Sequence, residues 1–125
     1  MEAAEKQQKV SVITLGCEKN TVDSEILMGG FKSRGMLLED DAERSDVVVL
    51  NTCGFIDNAK QESINAILEA IELKKAGIIK KVIVSGCLSE RYRSELQAEM
   101  PEVDAFFGTQ DFDNVITSAV GSPDH

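Results

Sequence analysis

The sequence lacks the paired ligands of an ordinary structural zinc site. It contains no CxxC pair, and its only histidine is the terminal His125. A closed structural zinc site has four protein ligands, which often come from paired cysteines. The sequence therefore disfavours closed zinc coordination, although it contains three cysteines.

The sequence also lacks any targeting or membrane-spanning signal. Its start, MEAAEKQQKV, is polar and charged, and no apolar run is long enough to cross a membrane. We therefore expect a cytoplasmic protein with no membrane partner. In a reducing compartment, an odd set of three cysteines is more typical of metal binding, catalysis or burial than of a disulfide framework.

Basic residues are few relative to acidic ones. The chain has 13 lysine and arginine residues against 22 aspartate and glutamate residues, which gives a net charge of -9. Nucleic-acid-binding surfaces normally carry basic clusters. We therefore expect no direct binding of nucleic acid by this domain, and we interpret the acidity as a source of solubility.

The three cysteines occur in one repeated context. Cys17 ends the segment SVITLGC, Cys53 ends VVVLNTC, and Cys87 ends KVIVSGC. Each follows a short β-branched apolar run that predicts a strand, and each precedes a polar segment that can begin a helix. Cysteines at the ends of three strands, and nowhere else, indicate one metal or cluster site assembled by the fold. The alternative is that all three are small buried core residues.

Strand and helix patterns alternate along the chain. We expect Thr21, Asn58 and Ser89 to cap the first three helices, and Gly35 and Gly77 to end the first two. The predicted strands cover residues 12–15, 36–38, 47–50, 82–84 and 103–107, and the predicted helices cover about 21–34, 58–77, 89–100 and 111–119.

Two of these helices carry further local signals. The Gly29-Gly30 pair weakens the first helix, and close packing against the sheet would explain why it is tolerated. The second helix has one apolar stripe at helical spacing, formed by Ile64, Ile67, Leu68 and Ile71.

This alternation predicts an α/β fold over residues 9–119, with flexible ends at 1–8 and 120–125. We expect a flavodoxin-like, doubly wound fold with a five-stranded, mostly parallel sheet of order 2-1-3-4-5 and helices on both faces. In that order the three strands that end in cysteine are neighbours. Their carboxyl ends would span about 10 Å, since neighbouring strands lie roughly 4.8 Å apart.

Three thiolates without a fourth protein ligand suit a [4Fe-4S] cluster with one open iron. A single small ion would need a tighter approach of the three cysteines. A flavin site is disfavoured because Glu18 would repel phosphate in the loop after the first strand. A phosphoacceptor receiver domain is disfavoured because Cys53 stands where that domain has an aspartate.

Four segments of the chain resemble the amino-terminal domain of radical-SAM methylthiotransferases. The forms LGC-x-KN-x-VDSE and NTCGFID are most similar to the type that modifies an aspartate of the twelfth small-subunit ribosomal protein. Glu18 departs from this type, which usually has proline there. The four segments span nearly the whole chain in order: TLGCEKNTVDSE (Thr14–Glu25), NTCGFIDNAKQESI (Asn51–Ile64), SGCLSERY (Ser85–Tyr92) and VDAFFGTQDFDNV (Val103–Val115).

The resemblance implies that Cys17, Cys53 and Cys87 bind an auxiliary [4Fe-4S] cluster, whose open iron holds a sulfur species for transfer, a methylated sulfide. In the family a second domain binds another [4Fe-4S] cluster and S-adenosylmethionine and generates a radical on the substrate. That domain's Cx3Cx2C motif and an RNA-binding-like domain are absent from this sequence. We therefore expect a fragment that is inactive alone and whose partners are its own radical-SAM domain and the ribosomal protein.

Two alternatives to this function stay open. One is the same domain of an enzyme that modifies a transfer-RNA adenosine. The other is a non-catalytic domain that binds metal or another protein through the same pocket. Zinc uptake without iron–sulfur absorption would favour the second.

Polar residues around the cysteines also match the family motif. Asn20, Asp23, Ser24 and Asn51 are candidates for hydrogen bonds to cluster sulfurs or for organising the loops. Helix capping and turn formation are the alternative roles for these residue types. The glycines beside the cysteines, Gly16, Gly54 and Gly86, are expected to permit tight turns.

Overall fold

The structure is a computed structural model that describes residues 8–15, 18–52, 57–108 and 112–120. Within these ranges, residues 18–23, 57–60, 87–91 and 120 are described in backbone only. The predicted flexible ends lie outside the described residues except for Gln8 and Val120, and Val120 is the last residue of a helix.

Five parallel strands form one sheet in the order β2-β1-β3-β4-β5. The predicted strand order is confirmed, and the sheet is wholly parallel. The strands are β1 (Lys9–Thr14), β2 (Leu37–Leu38), β3 (Val47–Thr52), β4 (Lys81–Gly86) and β5 (Ala105–Phe106); the helices are α1 (Glu18–Ser33), α2 (Asp57–Lys75), α3 (Cys87–Glu99) and α4 (Phe112–Val120), with a short 3-10 turn at Ala42–Arg44.

Helices cover both faces of this sheet, as predicted. All six residues of β3 are buried, which explains its unbroken apolar run VVVL. Val48 and Leu50 pack into one core with α2 and α3, whereas Val47 and Val49 pack into the other with α1 and α4. The alternation of side chains along a strand therefore divides the central strand between two cores.

Three of the predicted helix caps are wrong. Thr21, Asn58 and Ser89 lie inside α1, α2 and α3, because each helix begins earlier in the chain. At α3 the physical reason is visible: Gly86 turns the backbone sharply at φ 101° and ψ -167°, so the helix begins at the next residue. The turn out of the strand therefore decides the helix start, rather than the nearest capping side chain.

The predicted helix stops are confirmed. Gly35 and Gly77 both have positive φ, 86° and 81°, which is the left-handed conformation that favours glycine. At the end of α1, Gly35 N donates to Lys32 O and Met36 N donates to Phe31 O. This pair of bonds is a Schellman motif, which satisfies the last carbonyls of the helix.

The apolar stripe of α2 is only partly buried. Ile67 and Ile71 lie in the core and Ile64 is half-buried against it, but Leu68 is 46% exposed. Successive residues of a helix are about 100° apart around its axis, so the neighbour of a buried residue can fall beyond the contact stripe. Leu68 therefore belongs to the predicted stripe but lies outside its buried part.

The Gly29-Gly30 pair of α1 has a different explanation from the one predicted. A Cβ at Gly30 would overlap the Cδ1 atom of Ile116, on α4, whereas a Cβ at Gly29 would meet nothing within 4 Å. Close packing at Gly30 is therefore against α4 rather than the sheet. Gly29 is an exposed mid-helix glycine without a packing role.

We expect Gly29→Ala and Gly30→Ala to change stability differently. Gly29→Ala should raise the free energy of unfolding by about 0.5–1 kcal/mol, the usual gain for replacing a mid-helix glycine. Gly30→Ala should be less stable than Gly29→Ala by about 1–3 kcal/mol, because Ile116 must move. Urea unfolding of both variants measures the difference, and equal stability of the two would contradict the α1–α4 packing.

No helix in the described part of the chain has both the length and the apolar character needed to cross a membrane.

Candidate metal centre

The carboxyl ends of β1, β3 and β4 lie side by side. The strand register places Thr14 opposite Asn51, and Asn51 opposite Ser85. Chain segments that continue from these strands therefore leave the same edge of the sheet from neighbouring positions, roughly 4.8 Å apart. This edge is where ligands of open α/β sheets bind.

The three cysteines follow these strand ends. Cys87 is the first residue of α3 and comes directly after β4. Cys17 lies between β1 and α1, and Cys53 follows the last residue of β3, but both are outside the described residues. Among the side chains that the structure describes, which include none of the cysteines, no group of three or more histidine, cysteine, aspartate or glutamate residues could hold a metal ion. The assignment of the cysteines as ligands stays a prediction.

Two of the four polar candidates are brought into contact. Asn51 Nδ2 donates a hydrogen bond of 3.1 Å to Ser24 Oγ, and Thr14 Oγ1 donates one of 2.6 Å to the same atom. Ser24 is 0% exposed and Asn51 is 2% exposed. Ser24 therefore joins α1 to the ends of both β1 and β3.

Asn20 and Asp23 belong to α1, in the part of the helix that is described in backbone only. Asn20 precedes Ser24 by four residues, about one helical turn nearer the start of α1. Their predicted hydrogen bonds stay predictions.

The sequence did not indicate a hydrogen bond that joins β3 to β4 at Thr52, whose side chain lies on the opposite face of the sheet from Asn51. Thr52 Oγ1 donates a hydrogen bond of 2.6 Å to the carbonyl oxygen of Ser85, and both residues are buried. This bond joins β3 to β4 directly before their cysteines. The sequence feature that could have predicted this bond is the polar residue at the end of each apolar run, in LNT and IVSG.

Gly86 forms a second close contact between β3 and β4. A Cβ there would overlap Thr52 O, lie 2.7 Å from Thr52 N and lie 2.9 Å from Asn51 Oδ1. Its φ of 101° and ψ of -167° fall in a region that is essentially restricted to glycine. The predicted tight turn at Gly86 is confirmed, while Gly16 and Gly54 lie outside the described residues.

Three helices begin at this edge of the sheet. Helix α1 begins at Glu18, α2 at Asp57 and α3 at Cys87, each soon after a central strand ends. Helix amino termini carry partial positive charge and unpaired N–H groups, which stabilise anionic groups such as thiolates. The site therefore combines adjacent strand ends, three helix amino termini and Gly86, which lets β3 and β4 approach closely. This combination fits a group held by thiolates.

The family comparison agrees with this geometry. Residues 9–108 match the model of "Uncharacterized protein family UPF0004". The chain belongs to this family. UPF0004 is the family of methylthiotransferase amino-terminal domains, so the resemblance drawn from the motifs is confirmed.

Three relatives that are 51–56% identical to this chain are each named "Ribosomal protein uS12 methylthiotransferase RimO". The protein of Chloroherpeton thalassium is 53% identical over 116 residues, which are 93% of this chain and 27% of the relative. That of Solibacter usitatus is 51% identical over 115 residues, 92% of this chain and 25% of the relative. That of Flavobacterium psychrophilum is 56% identical over 104 residues, 83% and 24% of the two chains. This UPF0004 domain therefore spans about a quarter of the length of the curated relatives it matches.

Proposed function

We propose that this domain holds the auxiliary [4Fe-4S] cluster of a methylthiotransferase through Cys17, Cys53 and Cys87. The observation that carries the proposal is the adjacency of β1, β3 and β4, the three strands that the cysteines follow. Three thiolates leave one iron without a protein ligand. The cluster, when bound, would supply that open iron as the holder of a methylated sulfide to be transferred.

The protein's own residues orient and stabilise this site. The amino termini of α1, α2 and α3 stabilise the negative charge of the three thiolates. Ser24 and Asn51 organise the strand ends through their mutual hydrogen bond. Asn20 and Asp23 would form hydrogen bonds to cluster sulfurs or to the loops that carry the cysteines.

The complete protein is, on this proposal, a RimO-type enzyme of the cytoplasm. The names of the relatives support an aspartate of ribosomal protein uS12 as its substrate. A radical-SAM domain in the same polypeptide would bind S-adenosylmethionine and a second [4Fe-4S] cluster, and it would be the direct partner of the domain described here. The 125-residue chain lacks that domain's Cx3Cx2C motif, so it should be inactive alone.

A chimaeric enzyme tests this function. The matching segment of the Chloroherpeton thalassium protein is replaced by this chain. The chimaera is assayed anaerobically with S-adenosylmethionine, sulfide, a low-potential reductant that supplies the electron for cleavage of S-adenosylmethionine, ribosomal protein uS12 and transfer RNA. We expect the uS12 peptide that contains the modified aspartate to gain a methylthio group, which mass spectrometry detects. The isolated chain and the chimaera with Cys87→Ala serve as controls and should give no product.

Two other outcomes of this assay would contradict the proposal. Methylthiolated adenosine in transfer RNA, with unmodified uS12, would identify the transfer-RNA enzyme. A folded chimaera that modifies neither substrate while the unaltered relative does would favour a non-catalytic metal-binding domain.

A further inference from the structure

Polar residues, most of them buried, join the three strand ends on both faces of the sheet. We call them the strand-end junction, and it consists of Thr14, Ser24, Asn51, Thr52 and Ser85. Its hydrogen bonds connect β1 to α1, α1 to β3, and β3 to β4. All of its residues except Thr14 are buried.

On the face of the sheet that packs against α1 and α4, the junction follows an apolar row of the strands. Two residues before Thr14, Asn51 and Ser85 along their strands, the corresponding row across the sheet is Val12, Val49 and Ile83. That row packs into the core formed with α1 and α4. Buried polar groups stabilise less than apolar ones unless they are hydrogen-bonded, and they restrict the arrangement of their neighbours. The last row of the three strands is polar where the row before it is apolar. Its hydrogen bonds therefore fix the positions of the strand ends, at the cost of less apolar burial.

Ser24 has the central place in the junction. The segment that contains Cys17 runs from the end of β1 to the start of α1, and the Thr14–Ser24 bond ties these two elements together. The Asn51–Ser24 bond ties the same helix to β3, two residues before Cys53. One hydroxyl therefore constrains the segments that lead into two of the three cysteines.

We propose that Ser24 is a positioning residue of the cluster site, which fixes the ends of β1 and β3 relative to α1 before the cluster binds. The inference rests on the proposed function only for the identity of the group that is held. The constraint itself belongs to the protein without cluster, so it is measurable independently.

Amide hydrogen exchange of the cluster-free, reduced chain tests the constraint. Leu15 N donates to Asn51 O at 2.9 Å and reports on the pairing of the β1 and β3 ends. In Ser24→Ala, the Leu15 amide should exchange about tenfold faster, as expected for lost hydrogen bonds of ordinary strength. The matched control is Ser11→Ala, which also removes a buried hydroxyl. Ser11 lies in β1 three residues before Thr14, and its hydroxyl donates to Glu39 O at 2.6 Å, outside the junction. Ser11→Ala should leave Leu15 exchange at the wild-type rate relative to global unfolding.

Iron release from the anaerobically reconstituted chain tests the consequence for the site. Ser24→Ala and Thr14→Val should release iron to a chelator about tenfold faster than the wild type, the usual effect of losing a residue that supports metal ligands. They should also change the electron paramagnetic resonance spectrum of the reduced cluster. Thr14→Ser, which keeps the hydroxyl, should restore slow release, and Ser11→Ala should match the wild type.

The two measurements separate the inference from the proposed function. Suppose that Leu15 exchanges faster in Ser24→Ala but that the wild-type chain takes up no iron and sulfide. This result would support the constraint and overturn the cluster. Wild-type Leu15 exchange, or wild-type iron release and an unchanged spectrum in Ser24→Ala, would overturn the positioning role even where the wild type holds the cluster.

Discussion

Replacing Gly86 with alanine is expected to lower the free energy of unfolding by about 3–5 kcal/mol. The backbone conformation at Gly86 is one that alanine adopts only with strain, and the new Cβ would overlap the backbone of Thr52. Backbone atoms of a central strand cannot move aside as a side chain can, so β3 and β4 must separate at their carboxyl ends. This loss is a large share of the roughly 5–15 kcal/mol that stabilises a typical domain.

Gly77→Ala and Gly35→Ala are the matched controls for this variant. Both glycines have positive φ, but a Cβ at either position would meet nothing within 4 Å. We expect each to lose only about 1–2 kcal/mol, the strain of a left-handed alanine. Urea unfolding of the three variants in reducing buffer measures the difference. Equal losses in all three would show that contact with Thr52 has no effect on stability.

Replacing any one of the three cysteines with alanine is expected to remove most of the bound iron. Two protein thiolates leave two irons of a four-iron cluster without protein ligands, and the cluster then loses iron in the presence of a chelator. Cys17→Ala, Cys53→Ala and Cys87→Ala should therefore fall to a small fraction of the wild-type iron content. The three variants should behave alike, because the site has no fourth cysteine that could substitute.

The control for the cysteine series is Ser11→Ala, which leaves the strand ends unchanged and should load iron as the wild type does. Urea unfolding of each variant without iron separates loss of ligands from loss of fold. Full iron content in any one folded cysteine variant would show that this cysteine is not a ligand.

Most of the fold is predictable from the sequence because the signals are local. The apolar run of β3 is buried on both faces, and the glycines at 35 and 77 end their helices in positive φ. Alternation of such elements leaves few possible topologies, since parallel crossovers are right-handed and short connections are preferred. The adjacency of the cysteine-bearing strands follows from that topology without any side-chain detail.

The details that sequence reasoning missed depend on contacts between distant residues. Ser24 and Asn51 are 27 positions apart, and no local pattern predicts their hydrogen bond. Thr52 and Ser85 are 33 positions apart. The early start of α3 has a similar cause, because the close packing of Gly86 against Thr52 sets the turn that begins the helix.

The site itself was predictable only as a set of residue types at a known edge. Repeated strand-end cysteines predict one shared site, and a family motif predicts which group binds there. The polar row at the strand ends follows from the register of the three strands, which places Thr14, Asn51 and Ser85 side by side. Register is a property of the folded sheet, so the row appears only in the structure.

The iron and acid-labile sulfide content of the anaerobically reconstituted chain tests the central claim most directly. A [4Fe-4S] cluster held by Cys17, Cys53 and Cys87 predicts about four irons and about four sulfides per chain, together with iron–sulfur absorption in the visible range. Uptake of zinc, with no bound sulfide and no visible iron–sulfur absorption, would contradict it.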